Sequence, residues 1–202
     1  VTSPGTIRGR CILFNTMSND MATSGPARYE IIPPDAVIIS PDIRFDSHHF
    51  EASAFAFSFD GSGRAWVDDH GVAFEATLPP TRNGYDVANA LKAGLRLGVS
   101  ATFAGLEHER DTGDGVAVVR RAEIVAISIM SPGRAVYPQP ACWLASASPE
   151  SLPADVQELR RHWRAPSLLG SVRASAERGR KAPLFSADVL RAAQDVRAGV
   201  MR

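Results

Sequence analysis

A serine hydroxyl, an imidazole to take its proton and a third group to orient that imidazole are the parts of a nucleophilic hydrolase. In this chain of 202 residues the serine best set for such work is Ser100, in the run Gly98-Val99-Ser100-Ala101-Thr102-Phe103. The matching imidazoles are the adjacent pair His48 and His49. Backbone N–H groups near the nucleophile would have to receive the oxyanion. The other histidines read more plainly. His70 falls in a predicted turn, and His162 sits beside Trp163 on a predicted helix. His108, between Glu107 and Glu109, lacks the second histidine of a helical zinc site.

Alternation and turn residues predict strands over residues 6–15, 36–40, 42–46, 52–59, 64–68 and 72–78. Phe55, Phe57 and Phe59 would share one face of the 52–59 strand, and they and Trp66 read as core rather than as a ligand platform. Asp60-Gly61-Ser62-Gly63 reads as a hairpin-type turn and Asp69-His70-Gly71 as another. A helix is predicted over 85–97, with Val87, Leu91 and Leu95 on its buried stripe, Asn83 or Asp86 capping its start and Gly98 stopping it. Ser100 then falls on a strand, 99–104, followed by a charged loop over 107–115. The apolar run 116–130 reads as one or two central strands. The sum is an α+β fold, mainly antiparallel β with flanking helices. From residue 146 the chain turns Pro-interrupted, Arg- and Ala-rich and helical in period, with helices expected over 153–164 and 186–201 and a linker over 167–183. The division expected is a β-rich domain, 1–145, and a helical, partly linker-like tail, 146–202.

Hydrophobic residues make up 45% of the chain, and 22 basic residues balance 22 acidic ones for zero formal net charge. That balance argues against direct nucleic-acid binding, which calls for a basic stripe and a high pI. Cys11 and Cys142 fit no metal-ligand spacing, so they read as reduced thiols, and neither metal nor other cofactor is expected. No apolar run approaches the roughly 18 residues that span a bilayer. No charged-then-apolar leader opens the sequence. The expectation is a soluble intracellular protein without a membrane partner.

Six segments recur in a familiar order. They are Gly5-Thr6-Ile7-Arg8-Gly9-Arg10-Cys11-Ile12-Leu13-Phe14-Asn15, Glu30-Ile31-Ile32-Pro33-Pro34-Asp35-Ala36-Val37, the strand leading into His48-His49, residues 71–84 (GVAFEATLPPTRNG), Gly98-Val99-Ser100-Ala101-Thr102-Phe103, and residues 124–137. In order and spacing they resemble the caudoviral prohead (capsid-maturation) serine proteases, over residues 5 to about 145. The corresponding patterns are G-x-I-x-G-Y-A-x-x-F-N, E-x-I-x-P-G-A-F, a strand ending in the catalytic histidine, G-L-x-F-E-A-x-L-P-x-T-x-x-G, G-x-S-x-G-F and L-x-E-V-S-x-V-x-x-P-A-Y. The resemblance implies a barrel-like core related to herpesvirus assemblin, with Ser100 as nucleophile.

Ser100 follows His48 by 52 residues and His49 by 51, and either spacing suits the resemblance. Patterns in which the base precedes an Asp favour His48, with His49 in the Asp place. Strand alternation through Ile43, Phe45 and Ser47 favours His49. Asp35 and Thr102 stand where the family pattern has glycines, and the acid of E-V-S is replaced by Ala126. Glu123 is the carboxylate three residues earlier, but three residues along a strand reverse the face.

The resemblance implies a serine endopeptidase that cleaves scaffold segments of the major capsid protein, and itself, inside an assembling procapsid in the host cytoplasm. Its expected partners are the capsid protein, that scaffold segment and further copies of the chain. The alternative, prompted by Ala126, is a catalytically impaired protease fold serving head assembly. An unrelated β-rich binding module would rest on the aromatic strands alone.

Overall fold

The computed structural model describes residues 2–19, 29–110, 115–137 and 139–165. Two sheets enclose one core. In the first, β1 (Gly5–Leu13) pairs antiparallel with β6 (Gly71–Leu78) on one side and with β9 (Cys142–Leu144) on the other. Beyond β6 lies β5 (Gly63–Asp68), joined to it by the tight turn at Asp69-His70. Ile7, Ile12, Val72, Phe74 and Leu78 turn into the core.

The second sheet is organised by β8 (Val116–Met130), whose apolar run is one strand of 15 residues. One edge of β8 pairs antiparallel with β7 (Gly98–Arg110). Its other edge receives first β2 (Tyr29–Ile31) and then β3 (Val37–Ser47), both parallel, with β4 (Ala56–Phe57) antiparallel outside β3. Parallel pairing needs a long crossover, and the chain between β3 and β8 supplies one by building β5 and β6, two of the four strands of the first sheet, on the way. A strand covered on both faces and both edges reads as a nearly continuous apolar run. Phe45 and Phe74 meet across the sheets with ring centroids 6.0 Å apart.

The α+β, largely antiparallel expectation holds. Among the described residues no ladder joins the two sheets, which stay open rather than closing into a barrel; an isolated bridge between Gly98 and Ala141 links them.

Several element bounds differ from those expected. The pieces on either side of Pro41 are one strand, β3, with an irregular register between Ile39 and Arg44. The 52–59 strand shrinks to β4, because Glu51–Ser53 form a 3-10 turn; Phe55 is buried while Phe59 is 70% exposed. Asp60–Gly63 connects strands of different sheets rather than a hairpin pair. The 107–115 loop begins later, since β7 continues to Arg110.

Helix α1 (Arg82–Lys92) starts and stops earlier than its apolar stripe implied. Thr81 is the cap, accepting from Gly84 N, because the Asn83 side chain is committed to Ser47 and Ser53. Gly94, at φ +79°, supplies the left-handed stop, leaving Leu95 outside the helix and half exposed. Helix α2 (Ala154–His162) seats Val156 on Ala141 and Trp143 of the first sheet. Trp163 follows, edge-on to Trp66 at 5.5 Å and beneath the Arg8 guanidinium. The predicted 167–183 linker and 186–201 helix lie outside the described residues. Neither α1 nor α2 is long and apolar enough to cross a membrane.

Candidate active site

β3, β8 and β7 lie side by side, and their registers align three polar residues. Asp46 pairs with Ser128, and Ser128 with Ser100. Strand alternation turns this row away from Phe45 and Ile127, which face the core. The row is nonetheless covered: Asp46 and Ser128 are fully buried and Ser100 is 4% exposed. One step along each strand, Arg44, Ala126 and Thr102 form the next row on the same face.

At the end of β3 the chain reverses through His48 and His49, both in the left-handed region at φ +59° and +58°. Phe50 N donates to Ser47 O at 3.1 Å across them. Two successive positive φ angles with that bond make a type I′ turn, a conformation usually given to Asn and Gly. Each such residue costs on the order of 1 kcal/mol or more when it carries a bulky side chain, and strain of this kind gathers at functional sites.

The turn sends the two imidazoles to different places. His49 Nδ1 lies 3.0 Å from Thr102 Oγ1 and 3.0 Å from Ser128 Oγ, on the Ser100 face. Its Nε2 makes no hydrogen bond among the described residues. His48 Nε2 lies 3.4 Å from Ser131 Oγ instead. The sequence left the two histidines open and a family pattern favoured His48; the fold brings His49, and not His48, against Thr102 and Ser128. Burial lowers the His49 pKa, the Asp46 charge raises it, and His48 and Arg44 lower it further.

Glu123 does not join this group. It sits five residues before Ser128 on β8, opposite Ala104 and Ile38, about 16 Å along the strand. Ala126 leaves no carboxylate between Arg44 and Thr102. A carboxylate does lie on this face, in Asp46, which accepts from Ser128 Oγ at 2.5 Å and from Arg44 Nε at 2.9 Å.

Sequence reading missed Thr102, Ser128 and Asp46. Thr102 was within reach, being two residues from Ser100 on a strand. Ser128 and Asp46 need the β3–β8–β7 order, which no local pattern reveals. His108, placed in a loop by the sequence, lies on β7 with Nε2 3.0 Å from Glu30 Oε2. His70 and His162 meet with ring centroids 4.5 Å apart and planes tilted by 51°, beside a cavity of about 250 Å³ lined by α2 and the end of β1.

Ser100, the His49 imidazole and the buried Ser128–Asp46 pair thus lie on one face of this sheet. The chain belongs to the caudovirus prohead serine protease family, whose family model matches residues 2–142. No curated protein matches it. Among solved structures it is similar to the protease of KSHV in complex with a hexapeptide phosphonate inhibitor, at 8% identity and a TM-score of 0.36. That likeness covers 98% of this chain and 90% of the other.

Proposed function

We propose that this chain is the endopeptidase of a phage or phage-like head, cutting scaffold segments of the capsid protein, and itself, within the assembling procapsid. Membership of the prohead protease family supports the setting. The observation that carries the chemistry is the His49 imidazole, held by Thr102 and Ser128 on the face that presents Ser100.

In this reading Ser100 Oγ attacks the scissile carbonyl carbon while its proton passes to His49 Nε2. The imidazolium then returns the proton to the leaving amine as the C–N bond breaks, giving an acyl-serine. A water, deprotonated by the same imidazole, attacks the acyl carbon and releases Ser100. The tail from residue 146 is assigned a targeting role, on the strength of its separate composition.

The deciding experiment expresses wild type or Ser100→Ala with the cognate capsid protein and follows chain masses over time. Processing is expected with wild type and none with the variant. Equal processing by both would overturn the assignment. Absence of processing in both would favour the impaired assembly protein that Ala126 suggests.

A further inference from the structure

The hydrogen inventory around His49 favours one tautomer of its ring. Asp46 Oδ2 accepts from Arg44 Nε, so the carboxylate is ion-paired and offers only lone pairs. The single hydrogen of Ser128 Oγ therefore goes to Asp46 Oδ1, at 2.5 Å. Toward His49 the Ser128 oxygen then has only a lone pair, and the 3.0 Å contact at Nδ1 requires a hydrogen on Nδ1. Thr102 Oγ1, also 3.0 Å away, shares that hydrogen as a second acceptor. With Nδ1 protonated, the neutral ring keeps its lone pair on Nε2, where a general base needs it.

We propose that Asp46, acting through Ser128, is the orienting acid of this site and takes over the part left vacant at Ala126. Asp46 and Ser128 are positioning residues, since neither touches the reacting atoms. When the ring becomes imidazolium in the transition state, the same chain sets the buried Asp46 charge against it through one intervening hydroxyl. The inference rests on the Ser100–His49 reading above and adds the carboxylate that reading lacks.

Among the described residues three ionisable groups act on the ring. Asp46, Arg44 and His48 come from β3 and its turn, with Glu51 holding the far side of Arg44 at 3.5 Å. From β7 and β8 the contacts are the Thr102 and Ser128 hydroxyls. In Asp46→Asn the amide is expected to turn its oxygen to Arg44 and its NH₂ to Ser128. Ser128 would then reverse, donate to His49 Nδ1 and leave the hydrogen on Nε2, the unproductive tautomer.

The test uses the full chain and diisopropyl fluorophosphate, with phosphorylation of Ser100 followed by intact mass from pH 5 to 9. Here Ser100 Oγ forms the P–O bond, fluoride leaves and His49 takes the hydroxyl proton. Asp46→Asn is expected to slow labelling at pH 7 on the order of 10²-fold or more. Its acidic limb should move to lower pH, because the imidazolium has lost its counter-charge. Ser128→Ala should slow labelling about 10-fold or more, and Ser128→Thr, which keeps an Oγ, should restore it to within a few fold. Should Asp46→Asn fail to fold, the two Ser128 variants decide the matter alone. Wild-type rates and an unmoved pH profile in the folded variants would overturn the proposal while leaving Ser100 and His49 in place. A wild-type chain that does not label at Ser100 would instead remove the reading on which it stands.

Discussion

The Tyr137 hydroxyl donates a 2.6 Å hydrogen bond to Glu30 Oε1, joining two segments that lie 107 residues apart. His108 meets the other carboxylate oxygen at 3.0 Å, and the Glu30 side chain is 5% exposed. Burial, then the Glu30 charge, pushes the Tyr137 pKa far up, so the hydroxyl stays a donor at any physiological pH. Tyr137→Phe leaves a buried carboxylate oxygen unpaired and should cost about 1–3 kcal/mol. The expected reading is a lower urea midpoint with an unchanged m-value.

The two histidines should separate cleanly in kinetics. His49→Ala is expected to reduce capsid-protein processing by about 10²-fold or more, and His48→Ala by no more than a few fold. Equal losses would mean that the turn, and not one imidazole, is what matters.

The pH profile follows from the His49 shift. The base works as the neutral ring, and a lowered pKa keeps the ring neutral to more acidic pH. Labelling or cleavage should therefore rise with pH through a midpoint below the ordinary histidine value of about 6.5 and be level by neutrality. A midpoint above that value would contradict the assignment.

Gly84, in the first turn of α1, leaves room for the Pro79 carbonyl: a Cβ there would stand 2.1 Å from Pro79 O. Helix propensity alone would make Gly84→Ala stabilising by about 1 kcal/mol. The clash with a backbone oxygen should reverse the sign, destabilising by about 1–3 kcal/mol, and a thermal melt gives the sign directly.

Cys11 and Cys142 are buried free thiols, and burial pushes each pKa up to about 12. Neither should react with iodoacetamide at pH 8 while the chain is folded, and both should react in urea. Fast labelling of either in the native protein would show that the core opens.

What the sequence made legible is what a short window encodes. Strand alternation located β5 and β6 to within one residue and β1 to within two, and Ser100 could be placed on a strand because its neighbours alternate. Leu95 misled, since its spacing continues the Val87–Leu91 stripe although Gly94 has already ended the helix. The row Asp46–Ser128–Ser100 was illegible for a different reason. Its three members come from three strands that meet only in the tertiary fold, one pair parallel and the other antiparallel, and residue type alone marks none of them. Ala126 pointed to a missing acid; where the substitute lies depended on register, and register is a property of the assembled sheet.

β8 separates β3 from β7, and each bonds to it rather than to the other. The histidine turn and the serine strand are both synthesised before it. A nascent chain that stops short of residue 128 thus holds base and nucleophile with nothing to set them side by side. β8, the last long strand, bonds to both β3 and β7 and carries the Ser128 hydroxyl between them. Chain order thus puts the strand that joins the proposed base and nucleophile after both of them.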